Sequence, residues 1–582
     1  MDTVIRERIK LWTENPYFSE ETRREVLGIK DPKELEERFC CELEFGTAGI
    51  RGILGAGTNR LNIYWIRRVI QGLAEVIKEA GEDAPRRGVV IAYDCRRCSP
   101  EFAREAALVL AANGIKAYLF DGLRPTPELS FAVRYLGTVA GIMITASHNP
   151  KEYNGCKVYW EDGGQVPPGK ANKIVAKLQE RDSWEVTVAR EEAAREQGLL
   201  VTVGAEIDRA HLEEIKKHLL NRELAAKKGS ALKLVFTPLH GTGNKPVRQL
   251  LQELGFTSLA VVSEQAEPDP EFSTVKVPNP EEREAFALAL GYAQKTGGEL
   301  ILATDPDADR LGVLVRDKDG SYRGLTGNQL GVVLLYYLLS QLRQQGTLPP
   351  DGVVMKSIAS TDLAEVIAAD FGVPLINVPV GFKYIGEQIK LMEERGKGTF
   401  LFGFEESNGY LAGTYARDKD AVQAAALTAE AALYYKETEG KTLLDVLRHL
   451  YDTYDYYLDE QVAVSFPGLE GKEKIGRIMA NLRQFSEKSV GGLPLEKVED
   501  YLVGKGRYVA DGTDYPLTLP QANVLRFSFE GGGYVMARPS GTEPKIRIYF
   551  CVRGKTEEAA NSNLEQVKKD FLNTAYKTIE IL

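Results

Sequence analysis

The stretch TASHNPKEYN, residues 145–154, comes directly after an apolar run, VAGIMI, at residues 139–144. That run combines β-branched and small residues with Met and leaves no polar face, which is the pattern of a short buried strand. Ser147 stands where the strand ends, and His148, Asn149 and Pro150 force a turn behind it, so its hydroxyl is expected at the carboxyl edge of a sheet. α/β enzymes carry out their chemistry at that edge. A serine in a turn is more often a turn residue than a catalyst, and this stretch alone favours the plainer role.

On the N-terminal side, charged helical material to about Arg38 leads into LEFGTAGIRG at residues 43–52, where three glycines surround Arg51. Such a segment is a plain turn or a backbone that lets a cation approach an anion closely. Residues 89–93 read as a strand, and Ser99 and Pro100 as the N-cap and first residue of a helix that ends before Gly114. With strands at 117–120 and 139–144, the region is α/β and a parallel sheet is expected. The first domain is set at residues 1–205.

A second α/β domain, 206–324, opens with a strand at 232–237 that runs into PLHGTGN, where His240 reads as a turn-stabilising side chain. It continues through 259–262 and 300–303 to DPDADRLGVLV at 305–315. A third, 325–457, begins with the helical residues 329–339, has strands near 353–355 and 399–402, and ends in Ala- and Leu-rich helices at 421–436 and 443–451. The fourth, 458–582, differs. Its strands at 524–529, 533–537 and 546–552 follow one another without helices and precede a terminal helix, which is an antiparallel α+β pattern. The expected fold is therefore three related mixed α/β domains plus a smaller α+β C-terminal domain, and no residue-level repeat accompanies that repeated architecture.

A length of 582 residues agrees with about four domains. The 43% hydrophobic and 27% charged residues are ordinary for a globular protein. With 73 basic and 83 acidic residues, the net charge of −10 argues against general nucleic-acid binding but leaves room for local basic clusters that bind a phosphorylated substrate. The N-terminal stretch MDTVIRERIKLWTENPYF is charged and has no apolar core, so secretion is not expected. The longest apolar run, 330–339, is about half the roughly 20 residues needed to cross a bilayer. No membrane partner is expected, and the location is expected to be cytoplasmic. Six cysteines are too sparse for a disulfide framework, and Cys95 and Cys98, a lone C-x-x-C, read as incidental to a loop.

Three further stretches carry chemistry. Asp305, Asp307 and Asp309 alternate in a loop between apolar strands, and three carboxylates in five residues repel one another unless a cation sits among them. Hard oxygen ligands suit Mg²⁺ or Ca²⁺. An EF-hand is excluded, because position six is Arg310 instead of Gly and position twelve is Arg316 instead of Glu. A Mg²⁺ held by few protein ligands completes its shell with water or phosphate oxygen. GFEESNGY, residues 403–410, brings Glu405, Glu406 and Ser407 together after a strand, either as a solvated turn or as hydrogen-bonding groups for a polyol such as a sugar. RPSGTEPKIRIY, residues 538–549, sets Arg538, Ser540, Gly541 and Thr542 in a tight loop before a strand with Lys545 and Arg547. Those are the components of a phosphate cradle, although a hairpin turn between edge strands fits the loop equally well.

Taken together, the four stretches resemble the α-D-phosphohexomutase superfamily, whose members carry a TASHNP serine loop, a metal loop, a sugar loop and a phosphate loop in this order. Within it, DPDADR and F-E-E-S-x-G-Y look most like the phosphoglucomutase branch, which includes phosphopentomutases. The resemblance implies three related α/β domains and a smaller fourth around a central cleft. It implies that Ser147 carries a phosphoryl group, that Mg²⁺ is held by Asp305, Asp307, Asp309 and the phosphoserine, and that α-D-glucose 1-phosphate and glucose 6-phosphate are interconverted through glucose 1,6-bisphosphate. Arg51 and Arg310 match arginines near that phosphate, and His148 and Lys157 match groups around the serine. Lys157 is the preferred proton carrier, a role that requires a lowered pKa. Lys383, Glu405 and Ser407 match sugar-contacting residues, and Arg538, Ser540, Gly541, Thr542 and Arg547 match the cradle for the non-reacting phosphate.

One departure bears on specificity. The mannomutase pattern has histidines where this chain has Phe382 and Tyr410, which argues against dual glucose and mannose activity. The alternatives are a phosphopentomutase, a phosphomannomutase, a sugar-bisphosphate synthase and a non-catalytic sugar-phosphate sensor. An intact serine and all three aspartates argue against the sensor, since a binding module needs no phosphoryl carrier. The expected partner is a small sugar phosphate.

Overall fold

A computed structural model describes residues 2–46, 49–181, 183–466, 470–540 and 545–577. These residues form two compact units: 1–325 with 385–400 and 408–437, and 326–384 with 401–407 and 438–582. Both are mixed α/β, in line with the expected fold class.

The first unit contains a six-stranded sheet in the order Gly49–Ile53, Tyr153–Trp160, Ala140–Ile144, Val89–Tyr93, Ala117–Phe120, Leu200–Val203. Its last four strands are parallel, as expected, but Tyr153–Trp160 runs antiparallel to both neighbours. The expectation of a parallel sheet is therefore corrected to a mixed one. Only residues 145–152 separate Ile144 from Tyr153, fewer than the dozen or so a parallel crossover needs, so the chain must return as a hairpin. The serine stretch is thus the connection of an antiparallel pair. Gly155 is required where that pair closes, because a Cβ on it would lie 2.6 Å from the Thr145 carbonyl oxygen. The helix Ser99–Ala112 begins where the sequence places it, yet Ser99 does not cap it: its hydroxyl donates to Asp94 at 2.8 Å.

The same unit holds a five-stranded sheet in the order Tyr322–Leu325, Leu311–Arg316, Leu300–Thr304, Leu234–Thr237, Leu259–Val261. Leu300–Thr304 and Leu311–Arg316 pair antiparallel with Thr304 opposite Leu311, so the aspartate stretch closes a tight turn between two buried strands. Gly241 of PLHGTGN packs against that turn, and a Cβ there would lie 2.5 Å from the Cα of Pro306. His240 bonds the Glu267 carbonyl at 3.0 Å and Thr274 Oγ1 at 2.7 Å, holding its own turn. The core beneath the first sheet is aromatic at its N-terminal end, where Trp12 stacks on Phe18 at 4.4 Å and meets Trp184 edge-on at 5.1 Å. Truncating such a side chain costs about 3–5 kcal/mol.

In the second unit Gly352–Ser357 pairs parallel with Leu375–Val378, and the strand Thr399–Glu405 lies on its other side. The C-terminal part is an antiparallel sheet in which Tyr456–Ser465, Lys545–Gly554, Gly533–Pro539 and Leu525–Phe529 are successive neighbours. The helix Glu557–Tyr576 seals it, with Phe571 against Phe527 at 5.3 Å. This is the antiparallel α+β arrangement that the helix-free strand run leads one to expect. Among the described residues no helix is long and apolar enough to cross a membrane.

Candidate active site

Ser147 is 4% exposed and has φ of 52°, a left-handed backbone that few non-glycine residues adopt and that costs about 1–3 kcal/mol. Its Oγ donates to Asp305 Oδ2 at 2.7 Å and lies 3.2 Å from His148 Nδ1. The serine loop and the aspartate turn, from the edges of different sheets, therefore meet at one hydroxyl.

The three aspartates are buried, and carboxylate oxygens from each lie within 4.8 Å of one another. Asp305 Oδ1 accepts the backbone N–H groups of Asp309 and Arg310, each at 3.0 Å. Asp307 Oδ2 accepts from Thr126 Oγ1 at 2.7 Å and Lys157 Nζ at 2.7 Å. Asp309 Oδ2 faces Lys419 Nζ at 2.9 Å and Lys157 Nζ at 3.4 Å. Oδ1 of Asp307 and Oδ1 of Asp309 are buried without a hydrogen-bond partner. Two orphaned carboxylate oxygens in a buried triad fit a hard divalent cation. Burial, reinforced by Asp309 and Asp307, pushes Asp305 well above the ordinary carboxylate range. Burial also opposes ionisation of Asp307 and Asp309, but Lys157 and Thr126 outweigh it at Asp307, and Lys419, Lys157 and Arg310 do so at Asp309, so both are held low.

Around the serine, Arg51 donates to Asn149 Oδ1 at 2.8 Å, and Arg310 pairs with Glu281. Burial and the nearby Arg310 and Arg51 charges push His148 well below its ordinary range, so its imidazole is neutral. A lysine that accepts a proton requires a lowered pKa, and the surroundings of Lys157 shift it the other way. Burial pulls its pKa down, but the Asp307 and Asp309 carboxylates outweigh it, and the group is held above its ordinary value as an ammonium.

The second unit carries the remaining candidates. Glu405, buried, ends the strand Thr399–Glu405, and Ser407 follows it half-buried, while Glu406 accepts from Ser357 Oγ at 2.8 Å. Lys383 is the first residue of the helix Lys383–Arg395, with its Nζ 4.9 Å from the centre of the Tyr384 ring. Arg538 and Arg547 stand directly opposite each other on paired strands, and Ser540 N–H bonds the Lys545 carbonyl at 2.7 Å. Gly541 and Thr542 lie outside the described residues.

Two groups of residues at the serine site have no counterpart among the sequence candidates. Lys419 comes from the buried run RDKD, where Asp418 accepts from Tyr159 OH at 2.8 Å and Asp420 accepts the N–H groups of Val422 and Gln423 to start the helix Ala421–Glu439. Four charges in four residues before a long apolar helix are the available signal. Arg96, between the two cysteines of the C-x-x-C, is 1% exposed and donates to the carbonyls of Ser147, Asn149, Pro150 and Tyr153. An arginine inside a C-x-x-C has no local sequence signal that marks it as a buried anchor.

Family models for phosphoglucomutase/phosphomannomutase match the chain in order: α/β/α domain I at residues 42–185, domain II at 209–320, domain III at 326–454 and the C-terminal domain at 477–568. A phosphoglucomutase of Staphylococcus haemolyticus is 40% identical over 546 residues, covering 94% of this chain and 95% of its own. One from Staphylococcus saprophyticus is 37% identical over 568 residues, with 96% and 98% covered. Among solved structures, parafusin, a phosphoglucomutase of Paramecium, superposes with a TM-score of 0.69 at 17% identity, covering 92% of this chain and 95% of its own. A phosphoglucomutase/phosphomannomutase family protein of Burkholderia thailandensis gives 0.65 at 19%, with 92% and 98% covered. These two likenesses show the fold. A buried serine beside an aspartate triad, four successive domain matches and 40% identity across nearly the whole length converge on one statement: the chain belongs to the phosphoglucomutase/phosphomannomutase family.

Proposed function

We infer that the protein is a phosphoglucomutase that interconverts α-D-glucose 1-phosphate and glucose 6-phosphate through a phosphoserine at Ser147 and a glucose 1,6-bisphosphate intermediate. The observation that carries this reading is Ser147 Oγ at 2.7 Å from a buried triad with orphaned oxygens, in a chain 40% identical to a phosphoglucomutase. Asp305, Asp307 and Asp309, with the phosphoserine, would hold Mg²⁺. Bound there, the ion supplies neutralisation of charge on the transferred phosphoryl group.

The chain's own residues do the rest. Ser147 carries the phosphoryl group, giving it to a sugar hydroxyl and taking the other phosphate back, so no triad partner is needed. Neutral His148, 3.2 Å from Ser147 Oγ, exchanges the proton that the oxygen gains or loses. Lys157 enters as the ammonium, a proton donor to a leaving oxygen, and must quit Asp307 and Asp309 to act as a base. Arg51 and Arg310 hold phosphate oxygens. Lys383, Glu405 and Ser407 take the sugar hydroxyls, and Arg538, Ser540, Gly541, Thr542 and Arg547 take the non-reacting phosphate by charge, which suits an intermediate bound in two orientations. We propose the same four-domain division, 1–205, 206–324, 325–457 and 458–582, and a cytoplasmic location, which the six free cysteines support.

A coupled assay with Mg²⁺ and trace glucose 1,6-bisphosphate, comparing glucose, mannose, ribose and deoxyribose 1-phosphates, tests the reading. Glucose 1-phosphate is expected to be turned over best. Turnover of none of the four rejects the enzyme, and preference for a pentose or mannose moves it to the corresponding mutase.

A further inference from the structure

We propose that Arg96 is a positioning residue for phosphoryl transfer, holding Ser147 in its reactive pose through the backbone on both sides of it. The proposal rests on Ser147 being the phosphoryl carrier. The Arg96 Nη2 donates to the carbonyls of Ser147 and Asn149, while Nη1 donates to those of Pro150 at 2.9 Å and Tyr153 at 3.1 Å. One side chain thereby fixes three carbonyls of a single hairpin connection and that of the strand residue which follows it.

The other side of Ser147 is tied to the same group. Its N–H donates to Thr145 Oγ1 at 2.8 Å, and that hydroxyl donates to Asp94 Oδ2 at 2.6 Å. Asp94 is fully buried, lies 3.3 Å from Arg96 Nε, and uses Oδ1 to accept the Arg96 N–H at 2.9 Å and Ser99 Oγ at 2.8 Å. Both the N–H and the C=O of Ser147 therefore end on the Asp94–Arg96 pair. Phe272 covers the guanidinium, 5.1 Å from its ring centre.

The chemistry explains why the hydroxyl needs this. Ser147 occupies a left-handed backbone, which relaxes unless its peptide groups are held from both sides. Relaxation would turn Oγ away from Asp305, and a displacement of about 1 Å at a reacting atom costs on the order of 100-fold in rate. A planar guanidinium fork reaches several carbonyls at once, whereas an ammonium is a point charge that cannot span them.

The test compares the parent with Arg96→Lys, which keeps the charge and removes the fork. Expected are a kcat lower by about 100-fold, a KM for glucose 1-phosphate changed by less than about threefold, and amide exchange over residues 145–154 faster by about tenfold with the rest of the chain unchanged. Partial restoration of turnover in Arg96→Ala by added guanidinium supports the same conclusion. A kcat within about twofold of the parent overturns the proposal, as does a kcat loss without faster exchange in 145–154. If Arg96→Lys does not fold, Thr145→Val breaks the N–H side of the clamp and is read in the same way. A parent that turns over no sugar phosphate rejects the functional reading, while the exchange measurement still decides whether Arg96 holds the loop.

Discussion

Ser147 Oγ and Asp305 Oδ2 are 2.7 Å apart although 158 positions separate them in the chain. The bond joins the hairpin connection of one sheet to the turn of another. A hydroxyl that meets a carboxylate triad with two unpartnered oxygens has neighbours suited to a phosphate and a cation.

Removing that hydroxyl isolates chemistry from folding. Ser147→Ala is expected to lower turnover of glucose 1-phosphate by at least about 1,000-fold while the thermal midpoint moves by less than about 3 °C. The coupled assay and a thermal melt on the same sample check it; near-parental activity means that another group carries the phosphoryl.

Thr126 bonds Asp307 twice, its N–H to the carbonyl at 2.9 Å and its Oγ1 to Oδ2 at 2.7 Å. Thr126→Val keeps the shape and the backbone bond but frees Oδ2 from one donor. Loss of such an outer hydrogen bond weakens metal binding by about 10-fold or more. Titration of the metal-free protein with Mg²⁺ by calorimetry is expected to give that loss, with the unfolding midpoint in denaturant nearly unchanged.

Asp459, beside Cys551 and Thr361 in the second unit, is pushed up by burial to about 7, although hydrogen bonds from Cys551 and Thr361 oppose the rise. The folded state thus keeps a proton that the unfolded chain releases near its ordinary value of 3.8. Asp459 therefore costs no stability below about pH 4, costs progressively more as pH rises from about 4 to about 7, and a constant amount above. Asp459→Asn is expected to be more stable than the parent at pH 8, with the gap closing toward pH 4. Urea midpoints at several pH values measure it, and a pH-independent gap would place the carboxylate in solvent.

Cys40, Cys41 and Cys98 are exposed, and Cys95, Cys156 and Cys551 are buried. Burial raises Cys156 to about 12, and burial together with Cys40 raises Cys41 to about 11. Three thiols are expected to react with a thiol reagent in the native protein, Cys41 and Cys98 slowly at neutral pH because burial raises both and leaves little thiolate, and six after unfolding. Fast reaction of more than three in native buffer would contradict this burial.

The sequence by itself determined the elements and the chemistry-bearing loops. The strand ahead of TASHNP, the aspartate turn between two apolar strands and the helix-free strand run of the C-terminal part are written in local periodicity and turn residues, which act over a few positions. The aspartate triad is legible as a cation site for that reason, whereas TASHNP and the Arg51 segment read alone as turns, and the roles expected of Ser147 and Arg51 come from the family resemblance. Only the tertiary structure decided the mixed direction of the first sheet, the ammonium state of Lys157, the arrival of Lys419 beside Asp309 and the grip of Arg96 on the serine loop. Those features depend on which distant groups share a buried, low-dielectric space: Lys157 and Asp307 are 150 positions apart, and their pairing, not their identity, sets the charge that each carries.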